Sequence, residues 1–163
     1  MLGRRYPADS TVERAACGYA VTVASEHFYP AIEPYESGKL TVDSPHVLYW
    51  EQCGNPEGEP VLFLHGGPGA GSTETDRRFF DPEHFRIVLF DQRGCGRSTP
   101  VGELSNNSPA HLVGDIEELR RHLGIDSWQG SGGSWGSTLP IYYAEEPPEV
   151  CKTLTLRGIW WRQ

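Results

Sequence analysis

The sequence predicts one α/β domain, a doubly wound and mostly parallel sheet whose first strands are antiparallel. Three observations carry that expectation. Residues 61–64 (Val-Leu-Phe-Leu) and 86–90 (Arg-Ile-Val-Leu-Phe) are short, nearly continuous apolar runs of the kind that form strands buried on both faces. Each run empties into a glycine-rich loop. Further on, Leu112, Ile116, Leu119 and Leu123 recur at intervals of four, three and four, the stripe of a helix laid on a sheet. Such alternation of strands and helices is the pattern of a parallel α/β sheet. A chain of 163 residues suits one such domain. It is expected over residues 27–163, with residues 1–26 as a disordered or extended N-terminal extension.

Within the extension, residues 15–24 follow Arg4, Arg5 and Arg14 in the manner of a targeting segment. Gly18, Tyr19 and Thr22 interrupt it, it lacks leucine, and Asp9 and Glu13 occupy what should be its basic flank. It is read as extension rather than cleaved signal. Residues 27–35, with Pro30 and Pro34, read as an extended arm. Residues 39–42 and 47–52 are strand-like and joined by the turn-forming Asp43-Ser44-Pro45-His46, so an antiparallel pair is expected. Asn55-Pro56-Glu57-Gly58 breaks the chain before the strand at 61–64. Residues 75–80 suggest a short helix stopped at Asp81-Pro82. The clearest helix is 109–123, with Ser108 as N-cap, Pro109 at the first helical position and Gly124 as its stop. Its Asp115, Glu117 and Glu118 precede Arg120, Arg121 and His122 in the order the helix dipole favours, and are assigned to a solvated face. A strand near Trp128, a helix over 135–145 ended by Pro147-Pro148, and a strand over 153–157 complete the series.

Acidic residues outnumber basic ones, 22 to 14, for a net charge of −8 without a basic cluster. Nucleic acid and anionic membrane surfaces are therefore not expected as partners. No run approaches the length of a membrane span. Cys17, Cys53, Cys95 and Cys151 are widely spaced with no C-x-x-C pair, as for reduced thiols in a cytoplasmic protein rather than a disulfide framework or a metal site.

The candidate chemistry lies in three loops, each at the end of a predicted strand. Gly132-Gly133-Ser134-Trp135-Gly136 sets a serine between glycines at a strand-to-helix junction, the form of a nucleophile elbow. The flanking backbones must pass close without Cβ atoms, and the helix that follows aims free N–H groups at the serine. In a chain with 19 glycines this pattern is weak by itself. His65-Gly66-Gly67-Pro68-Gly69-Ala70-Gly71-Ser72-Thr73 nearly fits a phosphate-binding loop, but Ser72 stands where the lysine belongs. An oxyanion loop facing the elbow is the better reading. Asp91-Gln92-Arg93-Gly94-Cys95-Gly96-Arg97-Ser98 is expected to tie itself together by hydrogen bonds, with Cys95 as a semi-buried filler.

Taken together, these three loops strongly resemble the prolyl iminopeptidase family of α/β-hydrolases. So do Tyr29-Pro30 through Ser37-Gly38 and Leu48-Tyr49-Trp50-Glu51-Gln52-Cys53-Gly54-Asn55-Pro56. The likeness runs in order from about Tyr29 to Arg162. It implies a serine peptidase that removes N-terminal proline from peptides and uses no metal or other cofactor. Ser134 is then the nucleophile, and Gly67 and Trp135 offer backbone N–H groups to the oxyanion. The acidic groups that meet the substrate's amino end lie, in this family, in a helical cap beyond the present C-terminus.

The sequence departs from that family in three respects. The triad order in α/β-hydrolases is Ser, then Asp or Glu, then His, yet residues 135–163 contain no histidine. His65 is expected to order its turn rather than serve as base. The chain is accordingly expected to be the N-terminal part of such an enzyme, truncated before the cap and last strands and inactive alone. Gly130-Ser131 weakens the strand before the elbow, and Pro140 falls in the helix after it. An unpartnered last strand near Trp160-Trp161 is expected to make the isolated chain aggregate or stay partly ordered. Two other functions fit the same residues, a non-catalytic binding module and another serine hydrolase such as an esterase. A serine at the elbow disfavours epoxide-hydrolase-like chemistry, which uses a carboxylate.

Overall fold

The computed structural model describes residues 28–146 and 148–159, and ahead of them two three-residue strands, β1 (Val12–Arg14) and β2 (Ala20–Thr22), that pair antiparallel with each other. The remainder of the 1–26 extension, most of the targeting candidate at 15–24, His27, Pro147 and residues 160–163 lie outside the described residues.

Among the described residues six further strands form one sheet: β3 (Glu36–Thr41), β4 (Val47–Gly54), β5 (Glu59–Leu64), β6 (Phe85–Asp91), β7 (Trp128–Gly133) and β8 (Cys151–Arg157). Their order across the sheet is β3-β4-β6-β5-β7-β8. The β3–β4 pair is antiparallel as expected, with Lys39 opposite Tyr49, and β4 runs antiparallel to β6. From β6 onward every pairing is parallel, with Val61 beside Ile87, Leu62 beside Gly130, and Gly130 beside Leu154. The central strands are apolar at successive positions because both faces are covered. Leu48, Trp50, Leu62, Leu64, Val88 and Phe90 point to one face and pack against α1 (Pro109–His122) and α2 (Trp135–Glu145). Cys53, Val61, Phe63, Ile87 and Leu89 point to the other, beneath Ile32, Phe79 and Phe80.

The short helix expected over 75–80 is a 3-10 helix, Asp76–Phe79, with the Asp76 carboxylate accepting from the backbone N–H and hydroxyl of Thr73. Two local expectations are corrected. Ser108 occupies the N-cap position of α1, but its hydroxyl pairs with His111 Nδ1 rather than a backbone N–H. Asp115 is not on a solvated face. It is buried, and both its oxygens take the Arg93 guanidinium at 2.6 Å. Arg93 also bonds the Asn106 carbonyl and pairs with Asp43, so one cation joins the loop after β6, the β3–β4 turn and α1.

The two departures around the elbow meet in space. Pro140 is the sixth residue of α2, inside the helix, where its missing N–H costs about 3 kcal/mol. Its Cβ lies 3.6 Å from where a Cβ on Gly130 would sit, ordinary contact, so the ring packs over β7 at Gly130 without requiring the glycine.

Candidate active site

Parallel pairing of β5, β6 and β7 brings the ends of all three strands to one edge of the sheet, where the loop at 65–73, the loop at 91–98 and Ser134 converge. Backbone packs directly on backbone there. A Cβ on Gly132 would lie 1.9 Å from the Gly136 carbonyl oxygen, and one on Gly136 would lie 2.0 Å from the Leu64 carbonyl oxygen. Only glycine permits β7, α2 and β5 to approach so closely. Between them Ser134 is held at φ 57° and ψ −124°, a backbone region that costs a residue with a Cβ about 1–3 kcal/mol. The turn is fixed on both sides: Ser134 N–H donates to the Arg157 carbonyl at 3.0 Å, and the Ser134 carbonyl accepts from Ser137 N–H at 2.9 Å and Ser137 Oγ at 2.6 Å. The Ser134 side chain is exposed, and among the described residues its hydroxyl has no hydrogen-bond partner.

Ser134 lines a cavity of about 460 Å³ together with Gly66, Ala70, Gly71, Asp76 and Arg157. Gly66 meets the elbow directly, since a Cβ there would lie 3.5 Å from Ser134 Cβ. Of the two expected oxyanion donors, Gly67 (φ 124°) follows Gly66 at the exposed crest of the loop, and Trp135 follows Ser134 as the first residue of α2. A first helical residue has no intrahelical acceptor for its N–H. Each donor thus sits one residue beyond a residue of the cavity wall.

His65 opens the loop and is buried. Its Nε2 faces the backbone N–H of Gln92 at 3.0 Å and its Nδ1 the Gly66 carbonyl at 2.9 Å. Both ring nitrogens are occupied, and burial lowers the imidazole's pKa, so the ring is neutral and orders its turn as expected. The far end of the loop is held by Asp91, whose Oδ1 accepts from Ser72 N–H at 2.8 Å and Ser72 Oγ at 2.6 Å. Asp91 Oδ2 takes Arg97 N–H and Nε. Burial alone would raise this carboxyl's pKa, but Arg97, Ser72 and the two backbone N–H groups hold it below its ordinary value. Arg97 stacks 3.8 Å from the Tyr49 ring centroid and reaches the buried Glu51, which Arg77 grips from the other side. Asp91 and Arg97 tie the loop after β6 to itself, as the sequence suggested, while Arg93 ties it to α1 and the β3–β4 turn.

Cys95 is buried with its thiol on the Arg93 carbonyl, and burial pushes its pKa up. The Cys53 thiol is pushed up to about 12 by burial, so neither is a thiolate nucleophile near neutral pH. Among the described residues no group of three or more His, Cys, Asp or Glu is placed to hold a metal ion. Sequence reasoning missed Arg157, which lines the cavity from β8, and Gln92, which is 2% exposed and touches both His65 and Trp135. The only hint of Gln92 was its place in a loop at a strand's end.

Comparison with known proteins gives the family. Residues 59–163 match the family model for the alpha/beta hydrolase fold. Over 132 residues, 81% of this chain, it is 59% identical to a proline iminopeptidase of Xanthomonas citri, and it spans 42% of that relative's length. Among solved structures it is similar to a proline iminopeptidase-related protein from Thermus thermophilus (TM-score 0.66, 28% identity, 74% of this chain and 43% of that one). It is also similar to an epoxide hydrolase from Vigna radiata (TM-score 0.67, 26% identity, 81% and 41%). With a six-stranded sheet antiparallel at its start, a serine on a strained strand-to-helix turn, and a family match over most of its length, this chain belongs to the alpha/beta hydrolase fold family.

Proposed function

We propose that this chain carries the nucleophile and oxyanion hole of a serine aminopeptidase that releases N-terminal proline from peptides. The observation that carries the reading is Ser134, strained at φ 57° on the wall of a cavity, with a hydroxyl that no described residue engages. Identity of 59% to a proline iminopeptidase supports the substrate class. In the proposed reaction Ser134 Oγ attacks the carbonyl carbon of the N-terminal prolyl residue. The oxyanion that forms is met by the N–H groups of Gly67 and Trp135, an interaction worth about 3–4 kcal/mol per donor. Collapse of the tetrahedral species expels the amine of the shortened peptide, and water then frees proline from the acyl-serine.

The serine proton needs an acceptor. Both nitrogens of His65 are bonded, and among the described residues none engages the Ser134 hydroxyl, so the reading requires a base that they do not supply. The experiment is a paired assay of the 163-residue chain and its Ser134→Ala variant on prolyl-β-naphthylamide and a p-nitrophenyl ester. Naphthylamine release that vanishes in the variant, and exceeds ester hydrolysis, is expected once a base is present. The reverse preference indicates an esterase. No Ser134-dependent turnover of either substrate by the chain alone is what a missing base predicts. If it persists when the C-terminal part of the Xanthomonas citri relative is joined on, the chain is a binding module.

A further inference from the structure

We propose that Gln92 is the positioning residue that sets the spacing of the two oxyanion donors, because it bonds to the segment that carries each of them. The inference rests on the reading of Ser134 as nucleophile. Gln92 is the first residue past β6 and is buried. Its side-chain Nε2 donates to the His65 carbonyl at 2.9 Å, two residues before Gly67. Its Oε1 accepts from Trp135 Nε1 at 3.0 Å. Its backbone N–H donates to His65 Nε2 at 3.0 Å, and the same ring bonds the Gly66 carbonyl. One side chain therefore links the end of β5 to the start of α2, across the turn that holds Ser134.

The loop at 65–71 needs such a tie. Gly66, Gly67, Gly69 and Gly71 give it almost no side chains with which to pack, so its shape depends on what grips its ends. Asp91 grips the far end through Ser72, and Gln92 grips the near end through His65. Only Gln92 of the pair also holds Trp135. Two N–H groups act together on one oxygen only if both lie about 3 Å from where it forms. Fixing the His65 carbonyl and the Trp135 indole to one rigid amide removes the relative motion that would misplace them. A leucine at 92 would occupy similar volume and keep the backbone bond to His65, but would release both side-chain bonds.

The test compares Gln92→Leu and Gln92→Glu with the wild-type 163-residue chain at low micromolar concentration. Hydrogen-exchange mass spectrometry follows residues 65–72, 133–139 and, as a control, 109–122. Pyrrolidine-2-boronic acid, which forms a tetrahedral adduct on a reactive serine, is titrated alongside free proline, which stays trigonal, into the same three proteins joined to the C-terminal part of the Xanthomonas citri relative, so that a base is present. Gln92→Leu is expected to exchange at least about tenfold faster in both loop segments, to leave 109–122 unchanged, and to weaken the boronate about tenfold without weakening proline. Gln92→Glu keeps the acceptor for Trp135 and is expected to restore protection at 133–139 but not at 65–72. Wild-type exchange in either segment of Gln92→Leu, equal loss at 109–122, or equal weakening of boronate and proline overturns the proposal. A wild-type chain that forms no boronate adduct even with that C-terminal part joined on sinks the nucleophile reading instead, and the exchange arm still decides whether Gln92 holds both segments.

Discussion

A backbone N–H can only donate, so the His65 nitrogen that faces Gln92 N–H at 3.0 Å carries no proton. The proton is on Nδ1, donated to the Gly66 carbonyl. Protonating Nε2 would set two donors against each other in a buried site, which agrees with burial lowering this imidazole's pKa below its ordinary 6.5. The sign of the pH effect follows. Below about pH 6.5 the unfolded chain takes up a proton that the folded chain refuses, so stability falls as pH drops and is fully present above that value. The slope from this one group is at most about 1.4 kcal/mol per pH unit. Urea unfolding at pH 7.5, 6.5 and 5.5 is expected to show the acid-side loss in the wild-type chain. A smaller slope is expected for His65→Asn, which does not titrate. Equal slopes would mean that His65 charges freely in the fold. Asp91, held below its ordinary value, acts in the same direction but only at lower pH, as pH falls through its folded pKa.

At the scale of elements, the elbow turns on which glycines face backbone and which face side chains. A Cβ on Gly132 meets the Gly136 carbonyl at 1.9 Å and the Leu64 carbonyl at 2.8 Å, neither of which can yield without shifting β5 or α2. A Cβ on Gly130, two residues earlier on the same face of β7, meets Leu154 Cδ2 at 2.8 Å, the tip of a side chain that is 36% exposed and free to move. Gly132→Ala is therefore expected to destabilise the chain by at least about 3 kcal/mol, and Gly130→Ala by less than about 1 kcal/mol, in chemical denaturation. Similar losses for the two would show that strand propensity, not backbone approach, sets the requirement. The same contrast explains what the sequence could reveal. Strands β5 and β6 were legible because burial on both faces leaves a local mark, Val61 to Leu64 and Ile87 to Phe90. The Ser134 turn was legible because glycines flank it. Gln92 with Trp135, 43 residues apart, and Arg93 with Asp115, 22 apart, were not, because those contacts exist only once β5, β6 and β7 are in register. Charge patterning on α1 put Asp115 in solvent for the same reason: a local rule cannot see a cation arriving from another strand.

Across the whole molecule, the sheet is unevenly protected. Strands β4, β6 and β5 lie between neighbours and hold the buried core, whereas β8 pairs with β7 on one side and with no described strand on the other. Positions 152–155 of β8 are exposed, on both faces of the strand. A strand with an open row of N–H and C=O groups and little covering its faces is a template for pairing with another chain. Charge offers limited defence here, since Lys152 is already engaged with Glu59 at 3.2 Å and Leu154 and Thr155 carry none. The 163-residue chain is therefore expected to self-associate through β8, and sedimentation velocity should show a mean sedimentation coefficient that rises with concentration through the micromolar range. Thr155→Lys places a charge on the exposed strand and is expected to hold the chain monomeric to about tenfold higher concentration. A wild-type chain that sediments as a monomer throughout and unfolds in one cooperative step would show that the open edge of β8 is covered or too irregular to pair. Association unchanged by Thr155→Lys would move the contact elsewhere, with the edge at β3 as the next strand to charge.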